Sequence, residues 1–226
     1  MDSLSRLQSA AHGLLTLVDE TIARDGCRAD HPIWPLLRQS GRLPGAALAC
    51  AAGWLPGELD TRAQLLARQR DSEAEIAAAL SASAAWEGDA FAAFQARLDL
   101  ARQTFSQVND SGVVLAGWFT ELSTYLHHAR LRLAYIVART LHSAEAVTLK
   151  VGPLHRGDAP TAQAEAAATI GTSILTEVHL FWHGGLNLSR DWHTRLAATT
   201  SLAPLASLAS AAPHIVSAPR PLRADL

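Results

Sequence analysis

The sequence predicts an all-α fold, a helical bundle around a long antiparallel helical hairpin with a W-x-G turn at Trp86-Glu87-Gly88. Three observations carry this expectation. Hydrophobic residues make up 49% of the chain, yet much of that is alanine, and aromatics are only 6%. Alanine-rich stretches mixed with Leu, Glu, Gln and Arg favour helix over sheet, because these side chains lose little rotamer freedom in a helix. Second, apolar residues recur at three- and four-residue steps from Phe91 through Phe94, Leu98, Ala101, Phe105, Val108, Leu115, Phe119, Leu122, Leu126, Ala129 and Leu133 to Ile136. A stripe that persistent is a seam that other helices must cover. Third, Gly88 stands between two amphipathic segments, where a tight αα turn needs a residue that tolerates a left-handed backbone.

The elements follow in order. Leu4, Leu7, Ala11, Leu14, Val18 and Ile22 mark an amphipathic helix over 3–24, ended by Asp25-Gly26. The stretch 28–43 reads as irregular around Pro32 and Pro35, with a short helical turn starting at Pro35. Residues 45–54 read as a short buried helix, and Pro56-Gly57 punctuates the chain. Leu59, Leu66, Ile76 and Leu80 share one face of the first hairpin helix. Asn109-Asp110-Ser111-Gly112 has turn composition, which predicts a kink or a tight break without change of direction. A linker follows at 151–160, then a helix over 161–183 stopped by Gly184-Gly185, and one more short helix from Ser189 to Thr199. Beyond Pro204 the Ala-, Ser-, Leu- and Pro-rich composition reads as a loose tail. The chain thus divides into N-terminal helices with a Pro-rich loop (1–58), the hairpin (59–150), and a linker, C-terminal helices and tail (151–226).

Composition excludes several classes of function. The net charge of −2 comes from 19 basic and 21 acidic residues with no like-charge block, so nothing recruits a nucleic-acid backbone. The longest nearly apolar run, 45–55, is about half of the ~20 residues that span a bilayer. The N-terminus has the periodicity of a helix and not the plan of a cleaved leader. Cys27 and Cys50 are too few for a disulfide framework; they either form one bridge or stay unpaired, one exposed and one packed. No G-x-S-x-G elbow, P-loop or Rossmann glycine fingerprint occurs, and Cys27 with His31 is the one conceivable thiol–base pair.

The stretch from Leu80 through Ala84-Ala85-Trp86-Glu87-Gly88-Asp89 to Phe91 and Phe94 resembles the turn of the WXG100 (ESAT-6-like) family. Members have a leucine-containing helix end, then W-x-G, then small residues and an aromatic that open a second helix. The resemblance covers roughly 59–146. It implies a helical hairpin that pairs with a second WXG-type chain or with itself, and a substrate or secretion-associated factor of type VII (ESX) secretion in actinobacteria and other Gram-positive bacteria. Localisation would then be cytoplasmic before export, with secretion by a leaderless route. The partner-binding residues it implies are Trp86, Gly88, Phe91, Phe94, Leu98 and Phe105. The resemblance does not extend to the family's Y-x-x-x-D/E export signal, because Tyr125 is followed four residues later by Ala129 and Tyr135 by Arg139.

Two other functions fit parts of the chain. His179 and His183 lie one helical turn apart, and His193 can return from the next helix, which would make a metal-dependent helical enzyme. Leu180 stands where the general-base Glu of H-E-x-x-H would be, so the zinc-protease pattern is not met. The residues otherwise read as surface histidines beside Trp182. A WXG-bearing toxin with a short effector in 151–226 is the remaining class. No cofactor, resident metal or catalytic residue is expected on the leading reading.

Overall fold

The computed structural model describes residues 2–79, 88–151 and 159–199. Every regular element among them is an α-helix: α1 (Ser3–Asp25), α2 (Ile33–Ser40), α3 (Pro44–Ala52), α4 (Pro56–Ala79), α5 (Asp89–Leu141), α6 (Ala144–Val151) and α7 (Ala159–Thr199). Two compact units divide these helices. One holds Met1–Gln64 and Ala116–His193, the other Leu65–Leu115 and Thr194–Leu226. Trp86 and Glu87, the expected hairpin turn, lie outside the described residues, as do the linker core 152–158 and the tail beyond Thr199.

The core of the first unit combines residues of the stripes in α1 and α5 with others from α2, α3 and α7, and α2 begins at Ile33 within a stretch expected to be irregular up to Pro35. Leu4, Val18, Ile33, Leu48, Leu133, Ile174 and Leu175 are all at most 1% exposed. Close approach is possible because small residues sit at the crossings. A Cβ on Gly171 of α7 would lie 2.7 Å from Ile33 Cδ1 and 2.9 Å from Pro44 Cγ, so α2 and α3 rest directly on the α7 backbone there. Two polar groups organise the short helix α3. Leu43 at its N-terminus offers no capping side chain, and Asp19 of α1 accepts the Gly45 N–H at 2.9 Å instead. Burial, only partly offset by the N–H groups of Gly45 and Ala46, holds the Asp19 carboxyl above its ordinary range. At the other end Arg130, buried on α5, donates to the carbonyls of Ala52 at 2.5 Å and Trp54 at 2.8 Å. The same guanidinium pairs with Asp2, which caps α1 through the Ser5 N–H. One arginine therefore ties the start of α1 and the end of α3 to α5.

Three helix boundaries differ from expectation. Of the kink or tight break expected at 109–112, the break is absent, since α5 runs from Asp89 to Leu141 without change of element. Nothing lies within 4 Å of a Cβ built on Gly112, and the Ser111 hydroxyl donates to the Gln107 carbonyl within the helix. Turn composition here is overridden by the apolar register, which continues across it. The break comes instead after Leu141, where α5 gives way to α6. Gly184-Gly185 does not stop a helix either, and Ser189 caps none, because α7 continues to Thr199. The Tyr125 ring occupies the space left by the missing side chains, 2.9 Å from where a Gly184 Cβ would stand. Its hydroxyl lies 2.7 Å from the Phe181 carbonyl and 3.1 Å from that of Leu180. The glycines serve helix packing, not helix termination.

This explanation has a direct test. Gly184→Ala adds a methyl group against Tyr125 and is expected to destabilise by about 1–3 kcal/mol through overpacking, less the helix-propensity gain. Gly13→Ala, in α1 with nothing within 4 Å, is expected to stabilise by about 0.5–1 kcal/mol. Denaturant midpoints that move in the same direction for both would contradict the packing role of Gly184.

Candidate functional site

In the second unit the candidate is the stripe at the start of α5. Gly88 has φ +106° and its carbonyl accepts the Phe91 and Ala92 N–H groups at 3.0 and 3.1 Å, so it opens the helix from a backbone conformation that a Cβ would strain. Along α5, Leu98 is 8% exposed and Phe91 is half-buried. Phe94, Phe105, Val108 and Val113 are 47%, 41%, 38% and 46% exposed. In the first unit the same stripe, from Leu122 through Leu126, Ala129 and Leu133 to Val137, is core. One periodic pattern on one helix thus has a covered part and an open part. Sequence periodicity could not separate the two, because a stripe announces that it needs cover without saying whether its own chain supplies it.

The first unit carries a second candidate, a cleft of about 550 Å³ between α2, α3 and α7. Leu175, Val178, His179, Trp182, His183 and Leu186 of α7 line one wall at successive helical steps. Leu36, Gln39, Ser40, Arg42, Ala47 and Cys50 line the other. Continuity of α7 through Gly184 and Gly185 is what keeps Leu186 on the face of His179 and His183. Trp182 packs edge-on against Trp54, with ring centroids 5.8 Å apart, and against Phe181 at 5.1 Å.

The His183 ring has a defined orientation. Arg190 can only donate, so the Asn187 oxygen faces it at 3.1 Å and the Asn187 amide nitrogen faces His183 Nδ1 at 3.0 Å. Nδ1 must then accept, which leaves the proton of the neutral ring on Nε2.

The alternative in which His193 joins His179 and His183 is not what the structure places. His193 is on the same continuous helix as His183 and does not return from another. Ten residues at 1.5 Å per residue separate them by ~15 Å along the axis. His179 and His183 do come together, with ring centroids 5.8 Å apart. No group of three His, Cys, Asp or Glu residues able to hold a metal occurs among the described residues. A metal on His183 Nε2 would also have to displace its proton and overturn the Asn187–Arg190 contact.

The environments of Cys27 and His31 are set by local contacts. His31 Nδ1 accepts the Ile33 N–H at 3.2 Å, at the start of α2. Burial, with the charge of Glu165 second, pushes the Cys27 thiol up, opposite to the shift that activates a cysteine. Cys27 and Cys50 are unpaired, and both are half-buried where one exposed and one packed thiol were expected. Among the described residues no helix is long and apolar enough to cross a membrane. No protein-family model matches the chain, and no curated protein or solved structure matches it.

Proposed function

We propose that the protein works by binding another helical chain through the stripe that begins α5. The observation that carries this reading is the exposure of Phe105 and Val108 on a stripe whose continuation from Leu122 onward is core. Large apolar side chains left exposed at successive steps of one helical stripe mark an interaction surface better than scattered surface hydrophobics do. The positive φ of Gly88 supports a chain turn just before that row. The finer assignment, a WXG-type substrate or secretion-associated factor of the type VII (ESX) class with a second WXG-type chain or itself as partner, rests on the resemblance of residues 80–94. Trp86, Gly88, Phe91 and Phe94 complete the surface on that reading, whereas Leu98, buried within the chain, packs beneath it.

The test is the mass of the purified protein by light scattering, alone at rising concentration and with helical proteins encoded beside its gene. A stable complex is expected. Phe105 keeps 41% of its surface exposed in the single chain, so Phe105→Ala is expected to remove about 0.5–1 kcal/mol of interface burial, a loss of affinity of roughly two- to sixfold. A monomer at all concentrations that ignores its neighbours, or a complex that keeps its affinity in Phe105→Asp, would sink the proposal.

A further inference from the structure

The cleft between α2, α3 and α7 is independent of the α5 stripe, and its lining has a definite chemistry. Its floor is apolar, from Leu36, Ala47, Leu175, Val178 and Trp182, while Gln39, Ser40, Arg42, His179 and His183 supply polar groups. No acidic residue is among the lining residues, although the chain as a whole carries more acidic than basic side chains. Arg42 is the one lining residue that is permanently charged, and among the described residues no carboxylate pairs with it. The Asn187 contact leaves His183 with Nε2–H as a donor. A guanidinium fork and an imidazole N–H suit the two oxygens of a carboxylate, and a single fixed positive charge matches a monoanion. The volume of about 550 Å³ is in the range of sites that bury most of a small molecule.

We propose that this cleft binds an amphiphilic monocarboxylate, a straight-chain acid of medium length, with its tail on Leu175, Val178 and Trp182 and its head at Arg42 and His183. Charge complementarity selects this occupant over a neutral apolar one. Cys50 lies in the lining and gives a local reporter.

The experiment uses the full chain carrying Cys27→Ala, so that Cys50 is the sole thiol, with decanoate as probe below its micelle concentration. Calorimetry measures affinity and stoichiometry, and the rate of Cys50 reaction with a disulfide reagent reports occupancy. One decanoate per chain is expected, with Cys50 labelling slowed at least fivefold at saturation. Decanol is expected to bind at least tenfold more weakly, and Arg42→Gln to weaken decanoate by a similar factor while leaving decanol unchanged. His183→Phe, which keeps the ring volume and removes the donor, is expected to weaken decanoate by at least threefold. Circular dichroism and the unfolding midpoint check that these two exposed substitutions leave the fold intact. Equal binding of decanoate and decanol, or unchanged Cys50 labelling, would overturn the proposal. So would a preference for decyl phosphate over decanoate, which would point to a dianionic head. Cys50 protection that grows with protein concentration in the absence of any acid would also overturn it, by making a second copy the occupant.

Discussion

Arg130→Met is expected to lower the stability of the protein by about 3–5 kcal/mol, the range for breaking a buried ion pair from one side. The substitution conserves most of the side-chain volume, so the loss is polar. It leaves the carbonyls of Ala52 and Trp54 without the donor they have at 2.5 and 2.8 Å, each an unsatisfied group of about 1–3 kcal/mol if it finds no water. The Asp2 carboxylate, whose side chain is 40% exposed, can return to solvent and contributes less. Against a total of roughly 5–15 kcal/mol for a folded domain, the change should bring the unfolding midpoint down sharply. Asp2→Asn is expected to be milder, since Arg130 keeps both carbonyls.

The pair also sets a pH dependence. Burial alone would raise the Asp2 carboxyl, but hydrogen bonds from the Ser5 N–H and hydroxyl and from Arg130 outweigh it, and the group titrates below its ordinary 3.8. A depressed folded-state value means the unfolded chain takes up the proton first. The stabilisation is therefore complete above about 3.8 and is lost as pH falls through the lower folded-state value. Urea midpoints measured down that acid limb should fall less steeply in Asp2→Asn than in the parent. Parallel acid limbs for the two proteins would show that the ion pair has no part in stability.

Ile174→Ala is expected to cost about 2–5 kcal/mol, and Gly171→Val, one turn away on α7, about 1–3 kcal/mol or more. The two err in opposite senses. Ile174 is 1% exposed, and its loss leaves a void among packed side chains that relax only partly. At Gly171 even a first methyl carbon would meet Ile33 Cδ1 at 2.7 Å, Pro44 Cγ at 2.9 Å and Ile22 Cδ1 at 3.1 Å. The ends of Ile33 and Ile22 can turn aside in part, but the Pro44 ring can give way only if the start of α3 moves, and Asp19 holds that start through the Gly45 N–H. The second cost should shrink in Gly171→Val combined with Ile33→Ala, because the smaller side chain vacates the contested space. Thermal unfolding of the two single variants and the double variant decides this, and strict additivity would show that Gly171 is not packed where the geometry puts it.

The all-α class and most helix positions could be read from composition and period, because a helix that buries one side repeats its apolar residues every 3.6 positions. That signal located α1, the short α3 and the long register of α5. It was less reliable where local chemistry pointed to a helix ending and the helix continued. Asn109 to Gly112 and Gly184-Gly185 look like breaks, but the apolar register carries α5 across the first, and Tyr125 packed on bare backbone carries α7 across the second. That continuity places His193 about three turns from His183, unlike the alternative in which it returned from another helix, and keeps Leu186 beside His183, which completes the wall of the cleft.

By itself, then, the sequence determined that this chain is helical, that α5 carries an apolar stripe, and that His179 and His183 share a face. The tertiary structure was needed to show which part of the stripe is core, and that Arg130, of the arginines among the described residues, lies buried against two carbonyls. Likewise, it alone set Arg42 in one cleft with two histidines more than a hundred residues later. The physical reason is the same in each case. Periodicity is a property of one helix, whereas cover, a partner for a buried charge and a cleft are properties of what another helix brings to it.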